Sequence, residues 1–146
     1  MSFNCYALSP DHEKMNHALE ISGLPMIIGE YHFGTVDRGL AQSLWQVNSQ
    51  KERGDAFRYY TENAFAHRGL IGTGWFRWID QNINGRTDGE NYNCGFIDVT
   101  DRPYPYMVDA AIKTAKSLYE IHSGTKTPFH QAPNAVGHSP IPDLWE

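Results

Sequence analysis

Two short apolar runs do most to limit what this chain can fold into. Met26, Ile27 and Ile28 form the first, and Leu70 and Ile71 the second. Each is too short for a helix, and a continuous apolar run of this length reads as a strand buried in a parallel sheet. Between them, in a helical region from about Leu40 to His67, Phe57, Tyr60, Ala64 and Phe65 recur at the spacing of a stripe laid against a sheet, with Arg53 and Gly54 expected to interrupt it. The reading is three parallel strands at about 2–8, 25–31 and 70–79, each followed by a helix. Asp11 is expected to cap the first helix, and Gly23-Leu24-Pro25 to stop it. The last helix, 104–122, is read with Val108, Ala111, Ile112, Ala115, Leu118 and Tyr119 on its buried face and Gly124 just past its end. Such alternation makes an α/β layer with the carboxyl ends of its strands on one shared side.

What the runs end in carries the chemistry. The first delivers Glu30 into Tyr31, His32 and Phe33, and a carboxylate at a strand's carboxyl end is a catalytic candidate, although a Glu satisfied by a neighbouring Arg is equally open. The second ends in Trp75, Phe76, Arg77, Trp78, Ile79, Asp80 and Gln81. A pyranose offers an apolar face and a rim of hydroxyls, so its sites pair an aromatic platform with planar polar groups. Trp75, beside Gly72 and Gly74, is read as the platform, and Trp78, three residues on, as facing the other way. The loop from Asn82 to Asn93 holds Arg86, Asp88, Glu90 and Asn91, too polar for core and too long for a spacer. Together with Asn4, His32, Asp80 and Gln81 these are the candidate sugar contacts. Glu13, Glu20, Glu52, Glu62 and Glu120 fall in helical segments and read as solvated faces.

Composition removes several alternatives. At 146 residues the chain fits one domain and falls short of a complete (β/α)₈ barrel, which needs roughly 200. A net charge of −5 with no basic run argues against nucleic acid. No stretch approaches the roughly 20 apolar residues of a membrane helix, and Met1 to Cys5 has no signal-peptide pattern, which leaves the cellular address open. Cys5 and Cys94 lack metal-ligand spacing and default to free thiols, with a disulfide left open; neither metal nor cofactor is expected. Residues 125–146, with Pro128, Pro133, Pro140 and Pro142, are expected to cross the surface or to be partly disordered.

The stretch from Pro25 to Gly34 with Arg38-Gly39, then Gly72 to Gln81, Gly85 to Tyr92 and Asp98 to Tyr104, resembles the C-terminal part of glycoside hydrolase family 50, the β-agarases of the clan of retaining (β/α)₈ glycosidases. The resemblance covers roughly Ser2 to Ser123. It implies that residues 1–124 are the last three βα units of a barrel, strands 6 to 8. It also implies that Glu30 is the nucleophile, that Tyr6 hydrogen-bonds it, and that Trp75 is the sugar platform. Gly74 departs from the pattern, where many members place a histidine. The clan's general acid/base, a Glu after an Asn on strand 4, has no match here, so the chain is expected to be inactive alone.

Three classes of function follow. The first is the nucleophile-bearing part of a retaining hydrolase of agarose-type β-galactan, with a β-galactosidase or a cellulase-like enzyme of the same clan as its wider form. The second is a non-catalytic carbohydrate-binding domain kept for Trp75, Trp78, His32 and the 82–93 loop. The third is a barrel-completing subunit. The chain is expected to associate with the remaining barrel or with itself, because an open three-stranded sheet leaves two bare edges. The parent enzyme is expected to be secreted or periplasmic.

Overall fold

The computed structural model describes residues 1–138. Three strands, β1 (Ser2–Phe3), β2 (Met26–Tyr31) and β4 (Leu70–Trp75), form a parallel sheet in the order β1-β2-β4. A separate antiparallel pair joins β3 (Trp45–Gln46) to β5 (Val136–Gly137). The helices are α1 (His12–Ser22), α2 (Gln50–Phe65) and α3 (Pro105–His122). The strand-helix alternation is as expected, but the first and third strands are shorter than the spans 2–8 and 70–79. Residues 79 and 97 instead meet in an isolated bridge.

Each helix boundary has a local cause. The Asp11 side chain accepts from the backbone N–H groups of Glu13 and Lys14 at 2.9 and 3.2 Å, and Gly23 ends α1 at φ +63° with its N–H on the Leu19 carbonyl. Ser49 caps α2. The expected interruption at Arg53-Gly54 does not occur: α2 runs through both. A Cβ on Gly54 would stand 2.6 Å from the Tyr106 carbonyl oxygen, so the glycine is there to let α3 approach closely.

That approach also corrects the α3 face. Met107, Ala110, Thr114, Ser117 and Ile121 are buried against α2, whereas Val108, Ile112 and Tyr119 are exposed. Hydrophobicity pointed one stripe aside, because a tight helix crossing selects small side chains and accepts polar ones that find partners, as Thr114 does on Glu62 at 3.0 Å.

The core lies between sheet and helices. Met26, Ile28, Tyr31 and Leu70 from the strands meet Met15 of α1 and Ala56, Tyr60 and Ala64 of α2. Tyr31 stacks on Tyr60 at 4.0 Å, and its hydroxyl bonds Thr61. On the sheet's other side Ile27 and Ile71 are exposed. The strand register is irregular in two places. One extra residue of β4 sits between the Met26–Leu70 and Ile27–Gly72 pairs, and one extra residue of β2 between Ile28–Thr73 and Tyr31–Trp75.

The tail segment 125–138 has defined fixings. The Phe129 N–H donates to Glu62 at 2.8 Å, and Asn63 donates to the Phe129 carbonyl at 3.0 Å before β5 pairs with β3. The rest of that segment, 139–146, lies outside the described residues. No disulfide joins Cys5 to Cys94, and burial pushes the Cys94 thiol up to about 12. Among the described residues, no helix is long and apolar enough to cross a membrane.

Candidate active site

The bulge in β2 sets the site. Ile28 and Tyr31 both face the helices although they are an odd number of residues apart, which strict alternation forbids. The extra residue between them turns Gly29 and Glu30 away from that face. The Cys5 N–H then donates to the Glu30 carbonyl at 3.0 Å, carrying the β1 chain alongside and bringing Tyr6 level with the carboxylate. The Tyr6 hydroxyl donates to Glu30 Oε2 at 2.9 Å. Burial, reinforced by this hydrogen bond, holds the Tyr6 phenol well above its ordinary pKa, so it remains a donor. Its backbone is fixed by Trp45 Nε1 on the Tyr6 carbonyl at 2.8 Å and by the Tyr60 hydroxyl on the Cys5 carbonyl at 2.6 Å.

A row of rings leads away from this pair. His32 lies 5.0 Å from Tyr6, and Tyr92 and Phe76 lie 5.8 and 6.0 Å from His32. The Arg86 guanidinium covers Phe76 at 5.8 Å. His32 is 2% exposed; its Nε2 accepts the Leu44 N–H at 3.2 Å, which leaves Nδ1 to donate to the Phe76 carbonyl at 3.1 Å. Burial lowers its pKa to about 3, so it is neutral with the proton on Nδ1. His32 was expected to contact sugar. With both nitrogens taken by backbone it instead ties the ends of β2 and β4 to the 44-loop.

Trp75 has defined neighbours. It pairs with Tyr31 and shares that residue's side of the sheet, packed at 5.2, 5.5 and 5.8 Å against Tyr31, Phe57 and Phe96, with Nε1 donating to the Cys94 carbonyl at 2.7 Å. It is a core ring. The glycines that suggested a platform serve the backbone instead: a Cβ on Gly74 would fall within 3.0 Å of the Gly29 carbonyl oxygen, so no histidine or other side chain fits there. The next residue, Phe76, faces the Glu30 side. Trp78 is 68% exposed and stacks on Phe96, the ring Trp75 also touches, because β4 ends at Trp75 and alternation no longer governs Trp78.

Asp80 and Gln81, expected to contact sugar, are buried with their polar atoms bonded within the chain. Asp80, 4% exposed, accepts from Asn93 Nδ2, the Tyr104 hydroxyl and the Gly95 N–H at 2.8, 2.6 and 2.6 Å. Gln81, fully buried, donates to Glu90 and accepts from the Tyr92 N–H, both at 2.7 Å. Arg86 pairs with Asp88 at 2.8 Å and with Glu90 at 3.4 Å, so the loop's charges are largely spent on one another at its exposed tip. Asn91 accepts from the Ala41 N–H at 3.2 Å. Asn4 is exposed, with its Oδ1 beside the bare face of Gly29 on the Glu30 side of the bulge.

Sequence reasoning missed the floor of the site. Arg53 is fully buried and donates to the Asn93 and Gly95 carbonyls at 2.8 and 2.7 Å, with its guanidinium 4.4 Å from the Tyr104 ring centre. The signal was present, since Arg53 falls on the helical stripe of Phe57, Tyr60 and Ala64, where a charge has to be answered from another element. Tyr92 and Phe76, which stand in the row of rings beside Tyr6, were not among the sequence candidates. No group of three or more metal-ligating side chains occurs among the described residues.

Comparison with known proteins adds a consistent set of relatives. No protein-family profile matches the chain. Beta-agarase A of Vibrio sp. (strain JT0107) is 41% identical over 126 residues, 82% of this chain and 13% of that protein. The solved structure of an exo-beta-agarase superposes with a TM-score of 0.79 at 38% identity, covering 86% of this chain and 17% of the other. PfGH50B gives 0.78 at 41% identity, covering 82% and 17%. The chain thus spans 13% of the length of the curated relatives it matches.

Proposed function

We propose that this chain is the nucleophile-bearing part of a retaining glycoside hydrolase of family 50 that cleaves β-galactosidic linkages in agarose-type polysaccharide. The observation that carries the reading is the Tyr6 hydroxyl on Glu30 Oε2, at the carboxyl ends of adjacent parallel strands. The β-agarase relatives, similar over most of this chain, supply the substrate class.

In this reading β1, β2 and β4 are strands 6, 7 and 8 of a (β/α)₈ barrel, and the exposed Ile27 and Ile71 belong to its interior layer. Glu30 attacks the anomeric carbon and forms a glycosyl ester that water then cleaves. Tyr6 donates to one carboxylate oxygen, orienting the other for attack, and its raised pKa keeps it from competing for the proton. Phe76 takes the platform role at first given to Trp75. The acid/base is assigned to another part of the barrel. The carboxylates on this chain support that, because Glu62 is buried on Arg58, Thr114 and Phe129, Asp80 is enclosed, and Glu90 is held by Gln81 and Arg86. A partner supplying the remaining strands follows from the same reading.

The test is covalent labelling. Alone, the chain should hydrolyse agarose no faster than background, since acid/base assistance is typically worth 10²- to 10⁴-fold. Combined with the complementary part of a related β-agarase and treated with a slow 2-fluoro-galactoside, it should carry the ester on Glu30, read by peptide mass spectrometry. A label on Asp80 or Asp88 with Glu30 untouched would overturn the assignment.

A further inference from the structure

The described part of the C-terminal segment reaches a cleft on the same side as the Tyr92–His32–Tyr6 row of rings. After α3 the chain crosses α2, where the Arg58 guanidinium lies 4.4 Å from the Phe129 ring centre and Glu62 holds the Phe129 N–H. It then pairs as β5 with β3, and the His138 N–H donates to the Leu44 carbonyl at 2.7 Å. These fixings place the exposed His138 on the rim of an open cleft of about 430 Å³, whose other walls are Ala41 to Ser43 on one side and Asp88, Gly89, Glu90 and Tyr92 on the other. Tyr92 also stands in the row of rings that runs through His32 to Tyr6 and its partner Glu30, so the cleft lies outward of the Tyr6–Glu30 pair, two ring contacts away.

Its chemistry suits a neutral polyol. Asp88 and Glu90 are both paired with Arg86, which leaves little field to attract an ion. Their remaining lone pairs, the exposed Gln42 amide, the His138 imidazole and the Tyr92 phenol are groups that exchange hydrogen bonds with sugar hydroxyls. The cleft is roomy enough for a small ligand, and open, as a chain that continues past Glu30 requires.

Resting on the glycosidase reading, the geometry points to an outer sugar-binding subsite in this cleft, with His138 as a specificity-determining contact for an agarose-type chain extending beyond Glu30. The tail is then a wall of the site.

The experiment titrates the full ¹⁵N-labelled chain with an agarose-derived disaccharide and with the tetrasaccharide. Both should shift the Tyr6 and Glu30 amides, and the tetrasaccharide should add shifts at Gln42, Glu90 and His138. His138→Ala keeps the main-chain bond to Leu44 and should keep the spectrum of the fold. It should weaken tetrasaccharide binding about three- to tenfold while leaving the disaccharide within about twofold. Tetrasaccharide shifts confined to Tyr6 and Glu30, or unchanged tetrasaccharide affinity in His138→Ala, would overturn the subsite and leave the Glu30 site standing. No shift anywhere with either sugar would overturn both.

Discussion

Gly74 and Gly29 face each other across β4 and β2 so closely that neither strand has room for a side chain at Gly74. The contact lies within the bulge that turns Glu30, so sheet geometry and site geometry are one problem. Gly74→Ala should therefore cost about 2–4 kcal/mol in urea denaturation, as overpacking against backbone does. Gly72→Ala, whose Cβ would meet only the Ile27 side chain at 3.5 Å, should change stability by less than about 1 kcal/mol. Equal losses in the two variants would remove the close approach as the cause.

Phe76 and Trp75 should separate binding from folding. Phe76→Ala should weaken oligosaccharide binding by about 1–3 kcal/mol and leave the urea midpoint nearly in place. Trp75→Ala, which empties a space among Tyr31, Phe57 and Phe96, should cost about 3–5 kcal/mol of stability. Calorimetric titration paired with denaturation reads both, and the reverse pattern would restore Trp75 as the platform.

How much of this was legible in the sequence depended on whether a residue's neighbours were local. The place of Glu30 at a strand end and the α1 caps were legible because strand ends and helix termini are written in short stretches, whereas the Tyr6–Glu30 contact was implied by the family resemblance and is present as a hydrogen bond. The packing of Trp75 beside Tyr31 could not be read, because a single bulge, invisible in an apolar run, reverses which residues share a face. Asp80, Gln81 and His32 looked like sugar contacts because their residue types suit sugars; only the partners brought in from Asn93, Tyr104, Tyr92 and Leu44 reveal that their hydrogen bonds are already made. The α3 face was missed because Gly54, on another helix, decides which stripe of α3 can come close.

Tyr6→Phe should leave the fold intact and lower turnover of the reconstituted enzyme by about ten- to a hundredfold, the worth of one hydrogen bond to a charged carboxylate. A kcat within about twofold of the parent, measured with an activated galactoside, would count against the pair as the working element.

His32 should make stability fall with acid. Burial lowers its folded pKa to about 3, with the Phe76 carbonyl opposing and Arg53 adding, whereas the unfolded chain titrates near about 6.5. Between those values the unfolded state binds the extra proton, so the contribution is complete above about pH 6.5 and is lost as pH drops toward 3, at up to about 1.4 kcal/mol per unit. His67, also lowered by burial, acts in the same direction. Urea midpoints from pH 7 to 4 should therefore slope less in His32→Gln than in the parent. An unchanged slope would mean that His32 does not stay neutral in the fold.

Arg53→Met should be among the most damaging changes, about 3–5 kcal/mol, because it leaves Asp80 and two backbone carbonyls buried without their cation. Arg53→Met combined with Asp80→Asn should recover part of that loss. A double variant no better than the sum of the singles, in a double-mutant cycle, would show the two charges to be independent.

The pairing of β5 with β3 bears on the order in which the molecule is built. Trp45, which secures the Tyr6 carbonyl, is paired with Gly137 near the other end of the described chain. During synthesis the N-terminal strands and helices leave the ribosome first, but the edge that steadies Trp45 is complete only after β5 has emerged. Contacts of such long sequence separation form slowly. The Tyr6–Glu30 pair should accordingly be the last part of the structure to become rigid, and nascent chains halted before Val136 should already hold their helices while that corner still moves.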